Sequence, residues 1–276
     1  MSFIRSRVLL WLALALFTVW TLAPIAWAIT SSLFPTSALT ITPMDLSADR
    51  ITLHNFAASF TPRGPNLLAA MGNSLLIAVT ATCLGIIIGA PAAYALANLG
   101  IRRRGFILMA VLASQMFPAI VLVIPLFVVL ANLDLVGTYA ALVIAHLTFI
   151  VPIVIWVTKG FFEAIPPQLE KSAAIDGAGS WNTFRLIVLP LAAPSIFAVG
   201  VFAFIESWNE FFFAVILSSS HTKTVPMTIA EFSGQFQTLY GEMIAASVIS
   251  SIPVVLLAIA FRRHLVEGFV EGSVKG

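Results

Sequence analysis

The sequence predicts an all-α, polytopic membrane protein. Of its 276 residues, 60% are hydrophobic and only 9% are charged, whereas soluble domains carry about 25% charged residues. So few charges cannot cover a water-facing surface, so most of the surface is expected to meet lipid. A helix needs about 20 apolar residues to cross a bilayer, and six such runs occur, at 8–31, 67–99, 106–131, 137–159, 190–217 and 241–261.

The first apolar run has the ends of a secretory signal peptide. Arg5 and Arg7 precede it, and Ala26-Trp27-Ala28 has the small-residue pattern of a cleavage site. Signal peptides have apolar cores of roughly 7–15 residues, whereas this run continues from Val8 to about Ile29. The greater length favours an uncleaved transmembrane helix.

The basic residues predict the orientation of the spans, because lysine and arginine are enriched on the cytoplasmic side of a membrane. With the N-terminus inside, three basic residues fall outside and eleven fall inside: Arg50, Arg63 and Lys223 against Arg5, Arg7, Arg102, Arg103, Arg104, Lys159, Lys171, Arg185, Arg262, Arg263 and Lys275. Both termini are therefore expected in the cytoplasm, with residues 1–276 forming a single transmembrane domain. The net charge of +2 is too small to suggest a nucleic-acid partner.

The predicted cytoplasmic segment 161–189 has the pattern of a helix-turn-helix. Pro166-Pro167 is expected to end the preceding helix, because proline lacks an amide donor. A short helix over 168–175, a tight turn at Asp176-Gly177 and an amphipathic helix over 181–188 follow. The residues alone leave two interpretations open, a surface that docks into a groove of a partner and a solvated connector on the lipid headgroups.

A motif in this segment resembles a known family. Gly177 is followed by nine residues, Ile187, one residue and Leu189-Pro190, which is similar to the EAA loop of binding-protein-dependent ABC importer permeases. Further similarities, closest to the smaller permease of the maltose-type carbohydrate branch, lie in Ile175-Asp176-Gly177-Ala178, Phe184-Arg185, Asn73-Ser74-Leu75, Met116-Phe117-Pro118, Trp208-Asn209-Glu210-Phe211 and the end of the chain, 272–276. One departure is that Lys171-Ser172-Ala173 replaces the Glu-Ala-Ala of the family, with Glu170 one place earlier.

The resemblance implies a type I ABC importer permease fold in the cytoplasmic membrane of a prokaryote, and import of a sugar or oligosaccharide. It implies a second permease subunit, two ATPase subunits and an extracytoplasmic substrate-binding protein as partners, besides membrane lipid. ATP and Mg would be bound by the ATPases, and neither a cofactor, a metal nor catalysis is expected of this chain. In agreement, the sequence contains no Gly-x-x-x-x-Gly-Lys-Ser/Thr phosphate-binding motif.

The resemblance also assigns residues that contact the ATPases. It implies coupling contacts at Glu170, Lys171, Ser172, Ala173, Asp176, Gly177, Ala178, Phe184 and Arg185. It also implies that a C-terminal tail containing Ser273, Val274 and Lys275 reaches the ATPase pair.

Polar side chains inside apolar runs are candidates for the translocation pathway, because such groups usually face a cavity or a partner. Glu206 and Glu210 stand at i,i+4, which predicts a shared helical face. Gln115 precedes a kink expected at Pro118. The full candidate set is Asn73, Ser74, Gln115, Phe117, His146, Glu206, Trp208, Asn209 and Glu210. The alternative for Asn, Ser and Gln is hydrogen bonding between helices, and for His146 it is packing.

Other functions remain open at this stage. One alternative is a permease for another solute, such as glycerol phosphate, a polyamine or an amino acid. No Lys or Arg lies mid-span, which favours a neutral solute. A secondary transporter driven by ions at Glu206 and Glu210 is another, but it needs no EAA-type loop. An intramembrane protease needs a nucleophile with a base, and His146 has no evident serine partner in the sequence. A membrane enzyme built on the two glutamates would need a soluble cleft, which no segment supplies.

Overall fold

The computed structural model describes the backbone of residues 2–61, 65–234 and 237–273, and the side chains of 7–61, 65–234 and 237–262. In these ranges the fold is helical, with one isolated antiparallel bridge between Ser233 and Thr238. The α-helices are α1 (Ser2–Ser31), α2 (Thr36–Leu39), α3 (His54–Ala58), α4 (Leu67–Asn98), α5 (Arg104–Ser114), α6 (Ala119–Asn132), α7 (Tyr139–Ala164), α8 (Pro167–Ile175), α9 (Ser180–Thr183), α10 (Leu189–Leu191), α11 (Ala193–Trp208), α12 (Phe212–Leu217), α13 (Val225–Ala230) and α14 (Tyr240–Ser273). A 3-10 turn (Ala48–Arg50) precedes α3, and a π-helix (Phe184–Val188) joins α9 to α10.

Within the described residues, four helices are long and apolar enough to cross a bilayer: Arg7–Ser31 of α1, all of α4 and α7, and Tyr240–Arg262 of α14. Two bent pairs bring the number to six if each counts as one span. One pair is α5 with α6, at 92°, and the other is Ser180–Leu191 with α11, at 77°. The all-α, polytopic membrane fold class predicted from the sequence is confirmed, and the described residues contain four to six candidate spans.

The kink predicted at Pro118 is confirmed, since α5 ends at Ser114 and α6 begins at Ala119. Proline has no N–H for the helical ladder and disfavours helical geometry in the residue before it. The third apolar run is therefore a broken element.

The fifth predicted span, 190–217, is wrong as a single helix. Its start belongs to the helical stretch Ser180–Leu191, and α11 leaves that stretch at a bend beside Pro194. At the other end, α11 stops at Trp208 and α12 begins anew at Phe212. Helix α7 extends to Ala164, past the predicted start of the segment 161–189, and the helical stretch Ser180–Leu191 extends past its predicted end.

Contacts between Cα atoms divide the chain into two compact units. The first consists of Met1–Leu68 and Thr228–Ile252, and the second of Ala69–Met227 and Pro253–Gly276. The single-domain organisation expected from the sequence stays a prediction.

In the second unit, glycines bring α4 and α7 into close contact. A Cβ atom at Gly85 would lie 2.3 Å from Cγ2 of Ile150, and one at Gly89 would lie 2.7 Å from Cγ1 of Val154. Small residues four apart on a membrane helix let a second helix approach closely. This contact fixes α7 against α4, and α7 carries much of the site described below.

In the first unit, the loop after α1 packs against the start of α14. Asn55 of α3 is buried and donates to the carbonyls of Ser32 (2.9 Å) and Phe34 (2.8 Å). The Gly241 N–H donates to the Thr36 hydroxyl at 3.0 Å, and that hydroxyl donates to Glu242 at 3.1 Å.

Candidate functional site

The segment after α7 folds as the predicted helix-turn-helix. Helix α7 ends at Ala164, just before Pro166-Pro167, and α8 occupies Pro167–Ile175. Gly177 then adopts a φ of +86°, and the Ala178 N–H donates to the Ala173 carbonyl at 2.9 Å. The second helix is longer than predicted, because α9, the π-helix and α10 form one helical stretch, Ser180–Leu191.

An aromatic cluster holds this segment against α4 and α7. The Phe184 ring lies 5.0 Å from the ring of Tyr94 in α4 and 6.1 Å from that of Phe162 in α7. Phe184 and Ala173 are both buried. Among the predicted coupling residues, these two therefore pack against other parts of this chain, and they hold the segment in place.

The other predicted coupling residues divide by exposure. Lys171, Ser172, Asp176, Gly177 and Arg185 are exposed, Ala178 is half-buried, and Ile175 is 86% exposed at the turn. Glu170 is half-buried and accepts a hydrogen bond from the Asn98 amide at the end of α4. The acid beside the altered motif therefore faces inward, and Lys171 faces outward.

Only part of the predicted ATPase-contacting tail lies within the described residues. Ser273 is the last residue of α14. Val274 and Lys275 lie outside the described residues.

A cavity of about 580 Å³ lies among α5, α6, α7, α11 and α12. Five of the predicted pathway residues line it together: Gln115, Phe117, Glu206, Asn209 and Glu210. The aromatic part of its wall consists of Phe117, Phe149, Trp156, Phe211, Phe212 and Phe213. The sequence did not predict that α7 contributes Thr148, Phe149 and Trp156 to the cavity wall. The helical spacing of these three residues nevertheless follows one face of an apolar run.

The two glutamates of this cavity do not share a helix, in contrast to the predicted i,i+4 face. Glu206 lies on α11, whereas Glu210 lies in the break before α12. The Glu210 carboxylate accepts from the N–H groups of Phe213 (2.8 Å) and Ala214 (3.1 Å). A carboxylate in this position caps a helix N-terminus, where unpaired N–H groups and the helix dipole favour a negative charge.

His146 lies behind the cavity wall and is buried. Its Nδ1 is 2.6 Å from the Ser207 hydroxyl, and its Nε2 is 3.6 Å from Oε2 of Glu210. No serine partner for His146 is evident in the sequence, but the packing of α7 on α11 supplies one. Ser207 is itself buried, so this pair presents no accessible nucleophile.

The remaining pathway candidates lie outside the cavity lining. Asn73 donates to the carbonyls of His221 (3.0 Å) and Lys223 (2.9 Å), and the Tyr139 hydroxyl donates to its side-chain oxygen at 2.8 Å. The Ser74 hydroxyl accepts from the N–H of Val225 at 2.9 Å. Trp208 is buried against Phe204. These side chains join helices and loops, which is the alternative role considered for the Asn and Ser residues.

Comparison with known proteins agrees with this architecture. The family model described as "Binding-protein-dependent transport system inner membrane component" matches residues 65–270. The trehalose transport system permease protein SugB of Mycobacterium tuberculosis is 35% identical over 93% of both chains. The trehalose/maltose transport system permease protein MalG of Thermococcus litoralis is 34% identical over 99% of this chain and 98% of its own.

A solved structure shows the same fold. The crystal structure of a bacterial ABC transporter involved in the import of the acidic polysaccharide alginate matches with a TM-score of 0.76. The match covers 95% of this chain and 97% of the other, at 20% identity.

Fold and sequence thus define a membrane-embedded permease subunit of an ABC importer. The chain belongs to the family of binding-protein-dependent transport system inner membrane components. It is accordingly a multi-pass protein of the cytoplasmic membrane, and a transport subunit rather than an enzyme.

Proposed function

We propose that this chain and a second permease subunit together form the path by which a sugar or oligosaccharide enters the cell. The observation that carries the proposal is the lining of the cavity, where Gln115, Asn209 and Glu206 meet the aromatic side chains of Phe117 and Trp156. Amide and carboxylate groups bond to hydroxyls, and apolar walls hold most of a ligand's surface. The trehalose and maltose transport named for two relatives supports the same substrate class.

The exposed surface of α8 and the following turn is proposed to dock into a cleft of an ATPase subunit. Its small residues and the open space around Gly177 would let another backbone approach closely. ATP and Mg would be held by two ATPase subunits, and a substrate-binding protein would deliver the sugar from outside. The distribution of basic residues supports an orientation with both termini in the cytoplasm.

The internal contacts of the segment support its role in coupling. Phe184 joins it to Tyr94 and Phe162, and Glu170 joins α8 to the end of α4 at Asn98. A displacement of α8 by an ATPase would therefore act on α4 and α7 at once. Helix α7 carries Thr148, Phe149 and Trp156 of the cavity wall.

Isolation of the native complex through this chain tests the proposal. We expect a second permease subunit and an ATPase to co-purify in mild detergent, with a sugar-binding protein retained when ATPase turnover is arrested. Replacement of Asp176 and Gly177 together should release the ATPase while leaving the second permease bound. Purification of this chain without any ATPase would contradict the proposal.

A further inference from the structure

The two carboxylates of the cavity differ in their partners. Glu210 accepts two backbone N–H groups at 2.8 and 3.1 Å, its Oε2 is 3.6 Å from Nε2 of His146, and its side chain is 8% exposed. The Glu210 carboxylate thus makes its hydrogen bonds to groups of the cavity wall, where it caps α12. His146 also contacts Ser207 of α11, so this network spans both sides of the break in the fifth span.

Glu206 is the opposite case. Its side chain is exposed to the cavity, and within the part of the chain that the structure describes it makes no hydrogen bond or ion pair. Among the described side chains that line the cavity, none is Lys, Arg or His. An ionisable group at membrane depth is costly unless it faces water, a solute or a partner. The Glu206 carboxylate is therefore placed to contact a solute that enters the cavity.

We propose that Glu206 selects solutes by charge, so that the cavity admits neutral and cationic polyhydroxylated solutes and repels anionic ones, while Glu210 is a positioning residue that shapes the wall. This inference rests on the proposed function, since it refines the substrate class of the same cavity. A carboxylate accepts hydrogen bonds from sugar hydroxyls, and the Asn209 amide beside it can both donate and accept.

Electrostatics gives the direction of the selection. Low-dielectric walls strengthen the field of a fixed charge, and a cleft with charge of one sign raises the local concentration of counter-ions by about 10- to 1,000-fold. The aromatic wall of this cavity is such a boundary. A uronate, sulfonate or phosphate group would meet the Glu206 carboxylate with no cationic side chain of the described lining to offset it.

The test measures the charge preference directly. Thr148 lines the cavity and is exposed, and Cys83 is an exposed free thiol, so Thr148→Cys in a Cys83→Ala background provides a single reporter for the described chain. In the importer assembled with its partner chains, the reporter is treated with a cationic trimethylammonium-ethyl and an anionic sulfonato-ethyl methanethiosulfonate. The ratio of the two reaction rates is then compared with and without Glu206→Gln.

We expect the cationic-to-anionic ratio to fall roughly tenfold in Glu206→Gln. Glu210→Gln should lower it less, because the charge of Glu210 faces the helix N-terminus. Glu163→Gln serves as the matched control, because this glutamate pairs with Lys159 at 2.7 Å and does not line the cavity. The control should leave the ratio unchanged.

Two results would overturn the inference. One is an unchanged ratio in Glu206→Gln, as expected if a group of the second permease already neutralises this carboxylate. The other is a reporter that reacts with neither reagent, which would show that solutes do not reach the cavity. Sugar uptake measured in parallel distinguishes failure of this inference from failure of the proposed function. ATP-dependent uptake together with an unchanged ratio rejects only the role of Glu206. Absence of uptake by the unmodified importer rejects the proposed function.

Discussion

At the scale of single residues, Gly177 determines the shape of the turn after α8, in the segment proposed to dock into the ATPase. Its φ of +86° lies in the left-handed region, and apart from Gly177 and its two chain neighbours no heavy atom of the described chain lies within 4 Å of the position that a Cβ would take. The chain itself therefore leaves space for a side chain, and the requirement for glycine comes from the backbone conformation. A docked partner would add a second requirement, close approach.

Gly177→Val is predicted to uncouple ATP hydrolysis from transport while leaving the membrane spans inserted. A non-glycine residue with positive φ costs roughly 1–2 kcal/mol, and the side chain would also obstruct a cleft that encloses the turn. The measurement is sugar uptake together with ATPase co-purification. Gly160→Val is the control, because Gly160 lies within helix α7 and, apart from its chain neighbours and the nearby backbone of that helix, no described atom lies within 4 Å of its Cβ position. Wild-type values of both quantities in Gly177→Val would identify the segment as a passive connector.

At the scale of elements, α8 is joined to α4 by one polar contact, the hydrogen bond from Asn98 to Glu170. Both side chains are partly buried, so the contact is less screened than a surface pair. It links the segment proposed to meet the ATPase with α4, whose residues from Ala69 to Asn98 belong to the second unit.

Removal of this contact is predicted to lower the amount of sugar transported per ATP. Glu170→Ala and Asn98→Ala should each reduce the ratio, and the double variant should be no worse than either, because one interaction is lost in all three. Glu170→Gln keeps an acceptor oxygen and should retain most of the coupling. Additive losses in the double variant would argue that the two residues act separately.

The close packing of α4 on α7 makes a second prediction at this scale. Gly85→Ala places a methyl group 2.3 Å from the Ile150 side chain, and overpacking of this kind typically costs about 1–3 kcal/mol. We expect a lower midpoint of thermal unfolding in detergent, partly restored by Ile150→Ala. Gly72→Ala, on the same helix with no neighbour within 4 Å, is the control and should not lower the midpoint. Equal losses in Gly85→Ala and Gly72→Ala would contradict the packing described here.

Local chemistry made some elements predictable and left others hidden. Pro118 and Pro166-Pro167 each break a helix through the missing amide donor, so the kink and the end of α7 could be predicted from the sequence. The break between Trp208 and Phe212 could not, because neither proline nor glycine marks it and its cap is the side chain of Glu210. The partnership of His146 with Ser207 depends on the contact between α7 and α11, which no local pattern encodes.

At the scale of the whole molecule, the chain is proposed to supply a path and a docking surface, and the proposed function depends on partner chains. Its sequence has no phosphate-binding motif, and its family is that of the inner membrane component of binding-protein-dependent transport. The apolar surface of α1 agrees with this arrangement, since no residue in the most apolar part of Arg7–Ser31 is buried within the described chain. That surface is available to lipid or to the second permease.

The most direct test of the central claim is uptake of radiolabelled disaccharides by proteoliposomes that contain the importer isolated through this chain. The binding protein is supplied outside and ATP inside, with trehalose and maltose among the sugars tested. We predict accumulation that requires ATP, the ATPase subunits and this chain, and no ATP hydrolysis by this chain alone. Accumulation driven by an ion gradient without the ATPases, or nucleotide turnover by the isolated chain, would contradict the claim.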